Sequence, residues 1–199
     1  MKFRNIFSQK PKWDKATDDE KFMALKEAVN SCSIDELRNR IKEGIDINTC
    51  ESYSNTNILM FYSSNAKELN WNPTELIKFL KSEGVDINHL RNNRLKGSSS
   101  ALHFAVIQKN FGLTQALVNA GAEIEIMDGN GNTPLWKAVM DYRGEIEMMN
   151  IIKLLLSKGA DMDKKNNHNN SPRDLIERSG KSIDAGLDNK EWDLREIIK

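Results

Sequence analysis

The sequence predicts an all-α solenoid of paired antiparallel helices, with about four full repeats, a truncated C-terminal repeat and a capping helix. Two observations predict it. One short segment recurs along the chain, as Gly44-Ile-Asp-Ile-Asn48, Gly84-Val-Asp-Ile-Asn88 and Gly159-Ala-Asp-Met-Asp163, with Gly121-Ala-Glu-Ile-Glu125 as a looser copy. A second segment, Ser100-Ala-Leu-His-Phe-Ala-Val106, aligns with Thr133-Pro-Leu-Trp-Lys-Ala-Val139 at an offset of 33 residues. Self-similarity at such a period marks a stack of supersecondary units, each unable to bury its apolar face alone. The recurring glycines are 40, 37 and 38 residues apart, so loop insertions interrupt the 33-residue unit.

Each unit reads as two short helices. Leu25, Ala28 and Val29, then Leu102, Ala105 and Val106, then Leu135, Ala138 and Val139 follow the i, i+3, i+4 spacing of one buried stripe. Second helices follow at Ile34, Leu37 and Ile41, at Leu76, Ile77 and Leu80, at Phe111, Leu113 and Leu117, and at Ile151, Ile152 and Leu155. Thr133-Pro134 and Ser171-Pro172 place a hydroxyl cap before proline at the first helical position. Ser33-Ile-Asp-Glu36 and Asn72-Pro-Thr-Glu75 have the spacing of capping boxes. Gly44, Gly84, Gly121 and Gly159 sit where the second helices stop and a left-handed residue is needed. These signals divide the chain into a lead over 1–19, a repeat array over 20–180 and a capping helix over 181–199. In that last segment Trp192, Leu194, Ile197 and Ile198 form an apolar face.

These residues resemble the ankyrin repeat. Gly131-Asn-Thr-Pro-Leu-Trp-Lys-Ala-Val139 resembles the family's G-x-T-P-L-H-x-A-A, and 151–163 resembles its second helix and the turn after it. The likeness is strongest over 131–163 and good over 99–125. Over 23–48 it keeps the spacing without Thr-Pro, over 57–88 its first half is weak, and 166–178 looks like a truncated last repeat. Three segments exceed the regular unit: about six residues around Asn65–Asn72, about four in Asn88–Ser100 and about five around Asp141–Met149. Such insertions either shape a binding surface or are neutral drift.

Composition narrows the function. Among 199 residues, 29 Lys and Arg balance 29 Asp and Glu, which gives no basic excess for a nucleic-acid backbone. Apolar runs such as Leu154–Leu156 are far too short to span a bilayer. The basic N-terminus lacks the apolar stretch of a signal peptide. Cys32 and Cys50 follow no pattern, which suits a reducing cytoplasm, with a redox pair as the alternative. The expectation is a cytoplasmic protein, monomeric by itself.

No catalytic or cofactor motif stands out. Asp128-Gly-Asn-Gly-Asn132 starts like a calcium loop, but the twelfth position, which needs a bidentate acid, is Val139. It reads better as a turn between repeats. His89, His103 and His168 have no Cys or His at ligand spacing, so neither metal nor cofactor is expected. The resemblance implies that His103 makes a structural hydrogen bond between repeats. Trp136 reads as packing between repeats. Trp71, inside an insertion, either clamps its loop or faces a partner.

The resemblance also implies a non-enzymatic protein-binding module, with a surface lined by loop tips and by the exposed side of the first helices. That maps to Tyr53, Ser54, Leu95, Lys96, Asp128, Asn130, Asn132, Asn167 and His168 at the tips, and to Ile107, Gln108, Met140 and Asp141 on the helices. Tyr142 adjoins them, and Trp71 is a further candidate. The expected role is to mask or inhibit one protein. The Asn-, Lys- and Ile-rich composition suggests a low-GC bacterium, and stand-alone bacterial ankyrin proteins of this size resemble immunity proteins paired with toxins. The alternative is a scaffold or secreted effector that recruits a partner without inhibiting it.

Overall fold

In a computed structural model, residues 12–91 and 98–178 are described. Leu95, Lys96 and the expected capping helix over 181–199 lie outside them. Among the described residues the structure is helical, without strands. Helices α1 (Asp18–Asn30) and α2 (Ile34–Lys42) form the first pair, and α3 (Ile58–Asn65) and α4 (Pro73–Ser82) the second. Helices α5 (Ala101–Ile107) and α6 (Phe111–Asn119) form the third, and α7 (Pro134–Asp141) and α8 (Ile146–Ser157) the fourth. The single helix α9 (Pro172–Arg178) opens the truncated repeat.

The odd-numbered helices pack in one layer, each on the next, and α4, α6 and α8 pack in a second. One continuous core runs between them. Leu25, Leu102 and Leu135 from the first layer, Leu37 of α2, and Leu80, Leu117 and Leu155 from the second layer are fully buried. The i, i+3, i+4 stripes therefore face where their spacing says they must.

The helix starts follow the capping chemistry. Ser33, Asn72, Thr133 and Ser171 each accept a backbone N–H of the first turn through their side chains. Thr17 and Glu20 add a reciprocal capping box that starts α1. Helix α8 differs. Part of the segment expected as a loop, 146–149, is its first turn, with Met148 and Met149 in the core. Its Glu145 cap makes no side-chain capping bond; the carboxylate instead pairs with Lys109 of the preceding repeat.

The recurring Gly-x-Asp-x-Asn segment has a physical explanation. Each glycine takes a positive φ, from +82° at Gly84 to +100° at Gly44, and ends a helix. Asp46 and Asp86 then accept the N–H two residues on, at 2.9 and 3.0 Å. The residue four after each glycine reaches the next repeat. Asn48 Oδ1 accepts Asp86 N–H at 2.7 Å, Asn88 Oδ1 accepts Glu123 N–H at 2.9 Å, and Glu125 Oε1 accepts Asp161 N–H at 2.9 Å. The fourth such residue, Asp163, accepts from Arg173 Nε at 2.6 Å. The motif is thus a ladder of rungs between repeats.

Of the lead over 1–19, Trp13 packs against the first pair and its Nε1 donates to Glu43 at 3.1 Å. Among the described residues no helix is long and apolar enough to cross a membrane.

Candidate functional site

Between the pairs, backbone bonds from Glu51 N–H to Thr56 O, Asp128 to Asn132 and Asn166 to Asn170 close hairpin-like turns, and Arg91 N–H meets Ser99 O, all at 2.9–3.0 Å. Two neighbouring turns share a side-chain plan. Asp128 Oδ1 accepts the N–H groups of Asn130 and Asn132, at 2.8 and 2.9 Å. Asn166 Oδ1 does the same for His168 and Asn170, at 2.9 and 3.1 Å. Asn166 Nδ2 then donates to Asn132 Oδ1 at 2.7 Å and ties one turn to the other. The tips also meet directly, through Asn167 N–H and the Asn130 carbonyl at 3.0 Å.

This arrangement moves several expected binding residues inside. Asp128 and Asn132 are 7% and 4% exposed, because a side chain that ties its own turn points back into it. Asp128 Oδ2 also meets Lys137 Nζ at 3.0 Å. Burial alone would raise the Asp128 pKa, but hydrogen bonds from Asn132, Lys137 and Asn130 hold it below its ordinary value. Ser54 is buried too, bonded to Glu51 and, at 2.6 Å, to Thr56. Tyr142 is 2% exposed; the chain leaves the helix there, at ψ 131°, and the ring turns into the core. These four residues are parts of the scaffold, not of its exposed surface.

The other expected residues divide by position. Tyr53 stands 84% exposed at the first tip. Gln108 Nε2 donates to Ser64 O at 2.9 Å, a bond between α5 and α3. Trp71 Nε1 donates to Val29 O at 2.8 Å, across 42 residues, so the indole clamps its insertion onto the first pair. Asn167 and His168 are exposed at the last described tip.

One groove gathers the remainder. Ile107, Asn130, Met140, Asp141 and His168 line it, together with Trp136 at the position His103 holds one repeat earlier. Ile107 and Met140 occupy equivalent positions 33 residues apart and are 42% and 46% exposed. Lining one groove together, these two side chains form an exposed apolar patch.

Sequence spacing missed one cluster. Cys50 Sγ lies 3.6 Å from His89 Nε2, and His89 Nδ1 lies 3.9 Å from Asp86 Oδ2, although Cys50 and His89 are 39 residues apart. The loop ladder brings them together, a relation visible only once the repeats are aligned. The order resembles a nucleophile, a base and an orienting acid, but the chemistry runs the other way. His89 Nε2 is 2.8 Å from the Asn55 carbonyl, so it carries a proton and donates it there. Burial, then the carboxylates of Asp18, Asp46 and Asp86, push the Cys50 thiol up. A protonated thiol beside a donor nitrogen is not an activated nucleophile. Both cysteines are free. Among the described residues no three His, Cys, Asp or Glu side chains converge on a possible metal position.

Comparison with known proteins agrees with this architecture. An ankyrin repeat protein of fowlpox virus is 35% identical over 135 residues, which is 67% of this chain and 36% of the viral protein. An ankyrin repeat protein of variola virus is 29% identical over 140 residues, 62% of this chain and 25% of its own length. Mouse protein phosphatase 1 regulatory subunit 27 is 32% identical over 106 residues, 53% of this chain and 63% of that protein. The chain therefore spans 36% and 25% of the lengths of the two viral relatives. A family model of ankyrin repeats, in three copies, matches residues 59–166, more than half of the sequence, and the chain belongs to the ankyrin repeat family.

Proposed function

We propose that this protein seats one partner protein on the groove beside α7 and that binding masks the partner's own functional surface. The observation that carries this reading is the exposed pair Ile107 and Met140, set between two turns whose own polar groups are tied to one another. A rigid rim around an apolar patch is the usual anatomy of a protein-binding site. An immunity protein against a bacterial toxin is one form of this role, but the viral and mammalian relatives lend it no support.

The test compares affinity capture from the source cells by the wild type and by Met140→Glu. Proteins held by the wild type and lost by the variant are groove partners. If both retain the same set, the groove reading fails. The activity of the recovered partner at saturating concentrations of this protein then decides between masking and recruitment. A toxin partner that stays active would sink the immunity form.

A second reading, recruitment without inhibition, is favoured by the relative named as a protein phosphatase 1 regulatory subunit. It makes a phosphatase catalytic subunit the first purified partner to test. Binding that leaves phosphatase turnover intact and depends on Met140 is the expected result under that reading.

A further inference from the structure

The groove's polar groups fall into two sets. Asn132 and Asn166 are bonded to each other, and Asn132 Nδ2 also donates to Asp128 at 3.1 Å. Asn170 bonds Arg178 and, at 3.2 Å, the His168 carbonyl. The Lys137 charge is met by Asp128. Three groups differ. The Asn130 side-chain amide, the His168 imidazole and the Asp141 carboxylate make no hydrogen bond or ion pair among the described residues. Arg143, two residues from Asp141, turns its guanidinium to the Met140 and Tyr142 carbonyls at 2.8 and 2.7 Å. Beneath the groove, Trp136 Nε1 is buried without an acceptor.

The bonded set builds the scaffold, so the unbonded set defines what the groove can hold. With Lys137 neutralised, the Asp141 carboxylate is the charge the groove leaves uncompensated. A carboxylate beside partly buried aliphatic surface favours a cation and repels an anion. Ile107 and Met140 supply the surface for one large apolar side chain. The Asn130 amide offers both a donor and an acceptor, which matches a backbone peptide group.

We propose that the groove recognises a peptide segment of the partner in which a large apolar side chain stands next to a lysine or arginine. The apolar side chain packs on Ile107 and Met140, the cation meets Asp141, and the segment's backbone pairs with Asn130. This specificity rests on the proposed function and deepens it.

The probe is a random dodecapeptide library displayed on phage and panned against the wild type and Asp141→Lys. The wild type is expected to enrich an apolar residue beside Lys or Arg, and Asp141→Lys an apolar residue beside Asp or Glu. Synthetic copies of the wild-type winners should bind Met140→Glu and Asp141→Lys about tenfold more weakly or worse. Asp141→Asn, which keeps the side chain's size, separates lost charge from lost shape. Thermal melts of the variants confirm that they fold. Titration should change the tryptophan emission of the wild type but not of Trp136→Phe. Enrichment of acidic or purely polar peptides by the wild type, no enrichment above the starting library, or equal binding to Met140→Glu overturns the proposal. If the natural partner still depends on Met140 while the library result is negative, only the peptide chemistry falls. If neither depends on Met140, the groove reading falls with it.

Discussion

His103 Nε2 lies 3.0 Å from the carbonyl oxygen of Asn132, 29 residues further along the chain. Its other ring nitrogen, Nδ1, lies 3.2 Å from Ser100 N–H, which can only donate. Nδ1 is therefore the bare nitrogen, and Nε2 carries the proton it gives to Asn132. A neutral imidazole thus joins the start of α5 to the turn before α7. This is the bond between repeats that the family resemblance implies for His103.

The first prediction concerns pH. Burial lowers the His103 pKa from 6.5, against the raising effects of the Asn132 hydrogen bond and Asp128. The unfolded chain therefore takes up this proton more readily than the folded one. The stabilisation is fully present above about pH 6.5 and is lost as pH falls from there toward the lower folded value. Urea midpoints should drop between pH 7.5 and 5.5 in the wild type. His103→Gln should be less stable at pH 7.5 and should lack that part of the drop. Asp128 does not interfere, since its pKa is held below 3.8.

The second concerns two glycines with similar backbones and different surroundings. Gly84 has φ +82° and open space where a β-carbon would point. Gly131 has φ +76°, and a β-carbon there would fall 2.5 Å from Asn167 Oδ1 and 2.8 Å from Asn167 N. Gly84→Ala should cost about 1–2 kcal/mol, the left-handed penalty alone. Gly131→Ala should cost a further ~1–3 kcal/mol for overpacking, because the Asn167 backbone cannot step aside. Equal losses in denaturant unfolding would show that the tips do not pack as described.

The third separates core from surface. Leu135 and Leu155 are fully buried, whereas Met140 is 46% exposed. Leu135→Ala or Leu155→Ala should lower stability by roughly 2–5 kcal/mol. Met140→Ala should stay within about 0.5 kcal/mol of the wild type. A melt that ranks them otherwise would place the wrong face inside.

The helical stripes, the glycine stops and the four-and-a-half-repeat architecture were legible because each rests on local chemistry repeated in phase. The exposed surface was less so. The family resemblance places Asp128, Asn132 and Ser54 on it as loop-tip residues. Yet polar side chains in tight turns bond their own backbone first. The parallel spacing of Asp128 to Asn132 and Asn166 to Asn170 held a clue, since a plan shared by successive turns serves the stack. Tyr142 gave no such signal. It lies just past a helix end, and only the path of the insertion turns it inward. The repeat spacing predicts a loop for the Asp141–Met149 insertion, but Met148 and Met149 are apolar and extend α8 backward into the core.

The Trp71 clamp bears on how the array comes apart. In a linear stack each unit is held by its immediate neighbour, and a terminal unit tends to open first and alone. Here the insertion of the second pair reaches back to the Val29 carbonyl at the end of α1. The first pair cannot peel away without also releasing that insertion. Opening the first pair therefore costs this bond as well as the helix packing, which couples the two pairs beyond their shared apolar face.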